Sequence, residues 1–477
     1  MCEQTLPYIS PFIKILNTVI KKNHAQAFLV GGALRDLYLG REVIDFDFAT
    51  SKNAIKIAKS FAKEIKGAFV LLDQEHNCAR VARKQKGKLL TFDFADFRSK
   101  DLKGDLSHRD FTINTISIDI KDLCGKKDVF NQAKDYKKGL KDIKSKMIKM
   151  VSKKVFAEDP LRMMRAFSLQ ATLNFKMEAK TKAQIKKDLS LLSQVARERV
   201  REELFKVLSS KNAYKNLKAM NSLGLLGKVI PQISVMQHIP QGGYHHLSLI
   251  NHSFESVRQV EKCFLEFSND EKIQKYLNEE LASGRKRFAL IKLAALLHDI
   301  GKPETCKKER NKTTYHGHEH VGRYIVRSIA KMIKMSVRER TSLEAMVGHH
   351  LRPGYLSNFK NPTPRAIFRF FRDTGDEAIG VLFLSLADQR STRGPLTTEK
   401  DQKHHEEIIH DLIFRYFTEE KKEKKVRILT GNDLIKQLKL KPSPIFTKIL
   451  ARIEEKYALG EIKTKKQALD VAKKMVR

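Results

Sequence analysis

Between residues 25 and 130 the chain alternates short period-two runs with stretches of helical spacing. Phe28, Leu29 and Val30 form an apolar run that ends at Gly31-Gly32. A segment of helical character follows, and a second strand then carries Asp45-Phe46-Asp47. Alternation puts both carboxylates on one side of that strand, while Ile44, Phe46 and Phe48 face the other way and anchor it. Helical spacing returns over Asn53 to Lys66 and stops at Gly67. Ala68 to Leu72, Ala79 to Arg83 and Leu89 to Phe97 read as further strands, and Asp110 to Ile120 begins as a helix and ends as a strand. From about Asp142 onward helical patterns dominate. The expected fold class is therefore α+β, a small mixed-sheet head with helices followed by an all-α body. Joints are expected near residue 140, across Pro231 to Gly243 and across Glu419 to Lys425, which divides the chain into 1–140, 141–235, 244–400 and 401–477. There is no convincing internal repeat.

Composition narrows the setting. A chain of 477 residues is long enough for two to four domains. It has no apolar run of about 18 residues, so no membrane span or membrane partner is expected. The opening MCEQTLPYIS lacks the basic-then-apolar pattern of a secretion signal. Cys2, Cys78, Cys124, Cys263 and Cys306 are scattered without a C-x-x-C, which fits a reducing cytoplasm and argues against a disulfide framework or a zinc ribbon. Lys and Arg outnumber Asp and Glu by 92 to 55, a net charge of +37 that favours a polyanionic partner, most simply a nucleic acid. With no tryptophan, base stacking falls to Tyr, Phe, His or Arg.

The head carries the clearest chemistry. Two exposed acids on a rigid strand, Asp45 and Asp47, suit a pair of divalent metals around a triphosphate. Gly31-Gly32 lets backbone N–H groups approach phosphate closely. Together they have the layout of a nucleotidyltransferase site, although either alone is more often a solvated strand or a turn. In LLTFDFADF, Asp93 falls on one face with Ala95 and Phe97 and is placed to be a third carboxylate that activates an attacking hydroxyl; Asp96 points the other way. Arg35 and Asp36 are spaced as an orienting pair. HRDFTIN, His108 to Asn114, sets a basic–acidic pair at a helix start with Asn114 one turn past Asp110, groups suited to a ribose and a phosphate. In EDPLRMMR, Pro160 fits the first turn of a helix, and Asp159, Arg162 and Arg165 at i,i+3 steps line one face, either as surface ion pairs or as a polar edge that hydrogen-bonds a base.

Histidines gather in the second half: Tyr244-His245-His246, His252, His298-Asp299, His316-x-His318-x-His320 and His349-His350, with Asp388 beyond them. Imidazoles beside carboxylates are a sound ligand set for a transition metal. His298-Asp299 follows the apolar run Ile291 to Leu297 and precedes Gly301-Lys302-Pro303, which places it at a helix end.

Taken in order, LVGGALRDLYLG, DFDFATS, TFDFADFR, HRDFTIN, EDPLRMMRAFSLQATLNF and RERVREELFKVL (Arg197 to Leu208) resemble the class II tRNA nucleotidyltransferase and bacterial poly(A) polymerase family, of the polymerase β-like superfamily, across roughly residues 25 to 225. The resemblance implies that Asp45 and Asp47 bind two Mg²⁺ ions, that Gly31, Gly32 and Arg35 hold the triphosphate, and that Asp93 is the third strand acid. It places Arg109, Asp110 and Asn114 at the sugar. Asp159 and Arg162 pair with the incoming base as a protein template after Glu158, with Arg165 a turn further on. His108 stands where an arginine is common.

The order of histidines resembles an HD-domain phosphohydrolase. That likeness implies a divalent transition metal or Mg²⁺ on His252, His298, Asp299 and Asp388, with His318 and His349 or His350 nearby and Lys302 stabilising a phosphate. A degenerate HD fold kept as a tRNA-binding body is the competing reading.

The implied partners are tRNA, CTP and ATP. Only ten residues separate Arg98 from Arg109, where complete CCA-adding members carry a longer flexible loop. This shortness resembles the CC-adding subgroup, which stops before the terminal adenosine and leaves it to a separate A-adding enzyme. The alternatives are full CCA addition, a poly(A) polymerase, and an HD phosphohydrolase whose head only binds nucleotide.

Overall fold

A computed structural model describes residues 6–123, 129–239, 247–309, 312–394, 398–419 and 428–476. The chain forms two units, Met1–Glu203 with Ser222–Lys228, and Leu204–Asn221 with Val229–Arg477. His245 and His246 lie outside the described residues, as does most of the Glu419 to Lys425 joint.

The first unit is built on a six-stranded mixed sheet. In chain order its elements are α1 (Leu6–Lys22), β1 (Ala27–Val30), α2 (Gly32–Tyr38), β2 (Asp45–Thr50), α3 (Ala54–Ile65), β3 (Ala68–Asp73), β4 (Cys78–Gln85), β5 (Lys88–Asp96), α4 (Leu102–Ser107), β6 (Ser117–Asp119), α5 (Gly139–Lys144), α6 (Val155–Glu158) and α7 (Arg162–Leu173). The strand order is β3-β4-β5-β2-β1-β6, with β2 parallel to β5 and the other neighbours antiparallel.

One face of the sheet is apolar. Phe46 stacks on Phe92 at 5.5 Å between ring centroids, Phe48 on Phe94 at 5.0 Å, and Phe61 of α3 meets Phe92 edge-on at 5.3 Å. Each of these rings is fully buried and contributes about 1.5–3 kcal/mol by leaving water. That burial fixes the register, because a one-residue slip would turn the phenylalanines out and the acids in.

Asp96, on the apolar side of β5, caps α3: its Oδ1 accepts from the Ala54 N–H at 2.9 Å and from the Thr50 hydroxyl at 2.8 Å. Ile44 departs from expectation. It precedes β2 and is 42% exposed, held by its backbone carbonyl, which accepts from the Thr91 N–H at 2.9 Å.

Two further expectations are corrected. The helix expected from Asp110 is a single 3-10 turn, Thr112–Asn114, ahead of β6. Thr112 N–H donates to Lys149 and Val151 N–H donates to Asp110, so neighbouring chain takes the backbone partners a longer helix would need. The helix expected to open at Pro160 starts two residues later: α6 ends at Glu158, Asp159 is extended at φ −148°, and α7 starts at Arg162. The short stretch between Arg98 and Arg109 is mostly the helix α4, capped by Asp101, whose Oδ1 accepts from Gly104 N–H at 2.7 Å.

The second unit is helical. Leu249–Glu266, Arg287–Leu297, Val337–His349 and Ala378–Ser391 pack together, and the run Ile291 to Leu297 lies at their centre. Buried Arg287 is satisfied by Glu279 at 2.6 Å and Glu377 at 2.5 Å. At the C-terminal end, Gly431–Leu438, Ile445–Ala458 and Lys465–Val476 share a small core of Leu434, Ile449, Ile453, Ala468 and Ala472. Among the described residues no helix is long and apolar enough to cross a membrane.

Candidate functional site

The acid-bearing face of the sheet opposes the phenylalanine face. Asp45 and Asp47 project from it as alternate residues of β2, and parallel pairing sets Asp47 against Asp93 and Asp45 against Thr91. The Thr91 hydroxyl donates to Asp45. The surroundings of Asp47 shift its ionisation. Burial raises its carboxyl above the usual range, Asp93 and Asp45 add to the rise, and Arg109 opposes it. Three carboxylates gathered on one face of a sheet are a donor set suited to divalent cations.

Gly31 shapes the rim. Its φ is +81°, and a Cβ there would stand 2.9 Å from Nη1 of Arg109 and 3.3 Å from Oδ2 of Asp47. Glycine is thus required by conformation and by space. Its absence of a side chain is what lets the Arg109 guanidinium come beside Asp47; Arg109 also lies 3.6 Å from Asp105.

Arg35 begins a hydrogen-bonded chain. It pairs with Asp36 at 3.1 and 2.7 Å and donates to Asn114 Oδ1 at 2.6 Å. The Asn114 amide donates to Asp110 at 2.9 Å, and Arg165 donates to the other oxygen of Asp110 at 2.9 Å. Burial acts against the Asp110 anion, but Arg165, Asn114 and the Phe111 N–H outweigh it and hold the carboxyl below its usual range.

Asp159 and Arg162 do not share the helical face expected of them. Asp159 accepts from Leu161 N–H at 3.1 Å and pairs with Arg199 at 3.1 Å. Arg162 is buried; it donates to the His108 carbonyl at 2.6 Å, to the Val155 carbonyl at 3.2 Å and to Glu158 at 3.2 Å. His108 therefore meets Arg162 through its backbone, while its ring lies 3.6 Å from Glu158.

The second unit gathers a buried cluster. His252 lies 3.2 Å from His298 and 3.0 Å from Asp388, and Asp299 lies 3.2 Å from His298 and 3.1 Å from His318. The Nδ1 atoms of His298, His318 and His350 stand 2.9, 2.8 and 2.8 Å from the carbonyls of Ala295, Tyr315 and Val347. Each carbonyl takes an Nδ1–H, which turns the three Nε2 atoms into the cluster, the arrangement that orients imidazoles for a metal. Donor atoms of His252, His298 and Asp388 fall within 4.8 Å of one another, as do those of His298, Asp299 and His350. Lys302 reaches Asp299 at 2.7 Å. Burial disfavours a charged His298, but Asp299 and Asp388 push it up to about 10. Of the pair His349-His350, the structure brings His350 into the cluster.

Sequence reading missed Arg80. The two-residue turn Lys86-Gly87, with φ +47° and +79°, pairs Gln85 with Lys88 and so sets Arg80 opposite Asp93. That register was available from the turn alone.

Comparison with known proteins agrees with this layout. Residues 27–149 match the poly A polymerase head domain and 174–236 the probable RNA and SrmB-binding site of polymerase A. Residues 249–393 match the HD domain and 397–472 the putative tRNA nucleotidyltransferase domain 2. The chain is 30% identical to the A-adding tRNA nucleotidyltransferase of Deinococcus radiodurans, over 93% of this chain and 94% of that one. It is 27% identical to the CC-adding tRNA nucleotidyltransferase of Thermus thermophilus, over 93% and 92%. A solved CCA-adding enzyme with ATP shares the fold at TM-score 0.66 and 18% identity, over 99% of this chain and 96% of that one. The Thermotoga maritima CCA-adding enzyme complexed with tRNA does so at TM-score 0.63 and 20% identity, over 99% and 97%. The chain belongs to the tRNA nucleotidyltransferase and poly(A) polymerase family, in the form that carries an HD domain.

Proposed function

We propose that this protein adds nucleotides to the 3′ end of tRNA without a nucleic-acid template, with CMP as the nucleotide transferred. The observation that carries this reading is the row of Asp47 and Asp93 in register beside Asp45, bounded by the Gly31 turn and Arg109. The 3′ oxygen of tRNA bonds to the α-phosphorus of CTP, the bond to the β-phosphate oxygen breaks, pyrophosphate leaves, and the hydroxyl proton passes to Asp93. Asp45 and Asp47 would hold Mg²⁺, which stabilises charge on the attacking and leaving oxygens.

The Gly31-Gly32 turn and Arg35 face the triphosphate, and Arg109, Asp110 and Asn114 the sugar. Asp159 and Arg162 select the base, with Arg165 bracing Asp110. Burial of Arg162 among the His108 and Val155 carbonyls supports a fixed template rather than a mobile side chain. The basic body grips the RNA by phosphate charge. The matched stretches support the division into head, neck, HD domain and tail at 1–140, 141–235, 244–400 and 401–477.

Nucleotide choice rests on the stretch from Ser99 to His108, which is occupied by α4 and has no room for a long loop. The rival is AMP addition, favoured by 30% identity to an A-adding relative. Extension of tRNA transcripts ending before CCA, after C and after CC, with CTP or ATP and Mg²⁺, decides between them. Addition that halts at CC bears out the reading and calls for a separate A-adding enzyme in the cell. Extension only of the CC-ended transcript, with ATP, makes the protein A-adding; completion to CCA removes the loop argument; long A tracts on unrelated RNA make it a poly(A) polymerase.

His252, His298, Asp299 and Asp388 are proposed to hold a divalent ion beside His318 and His350, for hydrolysis of a phosphate ester assisted by Lys302. The imidazole-rich donor set supports a transition metal over Mg²⁺. Elemental analysis of the purified protein and of His298→Ala tests this; equal metal content in both removes the site.

A further inference from the structure

Arg80 stands in a straight row across the sheet. Strand pairing aligns Asp47 on β2, Asp93 on β5, Arg80 on β4 and Val70 on β3. Its Nε and Nη2 donate to the two oxygens of Asp93, both at 2.7 Å. This is the fork-on-fork geometry in which a guanidinium fixes a carboxylate in rotation as well as position. The bonds to Asp93, with smaller contributions from the charges of Asp45 and Asp47, favour its charged form. The pair lies on the open, acid-bearing face, with side chains 42% and 28% exposed, and helps fill no core. An exposed pair of this kind adds little to stability. Its two parallel bonds instead decide where the Asp93 oxygens point.

We propose that Arg80 is a positioning residue of nucleotidyl transfer: it locks the Asp93 carboxylate in register with Asp47 so that the oxygens' remaining lone pairs face the incoming 3′ hydroxyl. A carboxylate has about four acceptor directions, and the fork takes two. The other two are left at fixed angles. Without the fork, Asp93 rotates about its side-chain bonds and leaves the line of attack for part of the time. Gln reaches one oxygen with a neutral amide, and Lys reaches one with a point charge, so neither restores both bonds. This inference rests on the reading of Asp93 as the third acid.

The test is single-turnover CMP addition to a tRNA transcript by Arg80→Gln, Arg80→Lys, Asp93→Asn and the double variant Arg80→Gln/Asp93→Asn of the full chain. Loss of an orienting partner costs about 10–100-fold. Arg80→Gln is expected to lower the maximal rate by that factor, with the KM values for CTP and tRNA held within about twofold. Arg80→Lys recovers part of the rate, and Arg80→Gln has no further effect once Asp93 is Asn. Wild-type rates for Arg80→Gln, or losses in the two single variants that multiply in the double, overturn the proposal while leaving Asp93 in place. Wild-type activity of Asp93→Asn overturns the assignment of Asp93 itself. If the Gln variant fails to fold, Arg80→Lys alone decides by its rate: a wild-type value overturns the proposal.

Discussion

Arg165 approaches one oxygen of Asp110 with both Nε, at 2.9 Å, and Nη2, at 2.8 Å. The carboxylate is buried, whereas the guanidinium is 39% exposed. Removing the cation strands an anion inside the protein, which costs more than removing both charges. Arg165→Met is therefore expected to destabilise the first unit by about 2–3 kcal/mol, below the range for a fully buried pair because water reaches the arginine. Urea unfolding of Arg165→Met and of Arg165→Met/Asp110→Asn checks it: the double variant should recover part of the loss.

Asp45→Asn and Asp47→Asn keep the shape of the strand and remove its anions. Nucleotide addition should fall by at least about 10²–10³-fold in each. The phenylalanine face is untouched, so the melting temperature should stay close to that of the parent. Metal content attributable to the histidine cluster should also be unchanged. A large drop in melting temperature would mean that the acids serve the fold.

Gly301 lies where a Cβ would stand 2.2 Å from the His318 carbonyl oxygen and 2.7 Å from the Gly322 nitrogen, both backbone atoms. The segment bearing His298 and Asp299 thus rests directly on the helix His318–Met332. Gly301→Ala must push them apart. Metal retained by the purified protein is expected to fall severalfold, while nucleotide addition by the head persists. Unaltered metal content would show that the two segments part without disturbing their histidines.

His405 is buried beside the hydroxyls of Ser357 and Ser385, at 3.0 and 3.4 Å. Burial holds its imidazole down at about 4, against 6.5 in the unfolded chain. As pH falls below 6.5 the unfolded chain takes up a proton that the folded one refuses, so stability declines from there and levels off below about 4. The contribution lost is about 3–4 kcal/mol. Urea unfolding between pH 7 and 4 should show this slope in the parent and a shallower one in His405→Gln.

Local periods made much of the head legible. The two-residue strand repeat separated Asp45, Asp47 and Asp93 from Phe46, Phe48 and Asp96, and the sheet keeps that separation. What local periods do not hold is where backbone groups find partners. Thr112 donates to Lys149, 37 residues on, and so the helix expected from Asp110 stops after one turn. Asp159 and Arg162 have helical spacing, yet the backbone is extended at Asp159, between α6 and α7, and the two side chains go to Arg199 and to the His108 carbonyl. His349 and His350 were indistinguishable in sequence, because only the packing of Val337–His349 decides which ring turns inward. Arg80 was legible from the Lys86-Gly87 turn, once strand pairing is counted outward from it.

Asp36, Arg35, Asn114, Asp110 and Arg165 form one unbroken line of hydrogen bonds across three distant stretches of chain. The two arginines donate, the two aspartates accept and Asn114 does both, so none can drift alone. Related sequences should accordingly change at these five positions in matched sets, a shorter acid met by a longer base, or not change at all. Grafting any one of the three stretches from a distant relative should cripple the hybrid, and transplanting all three together should restore it.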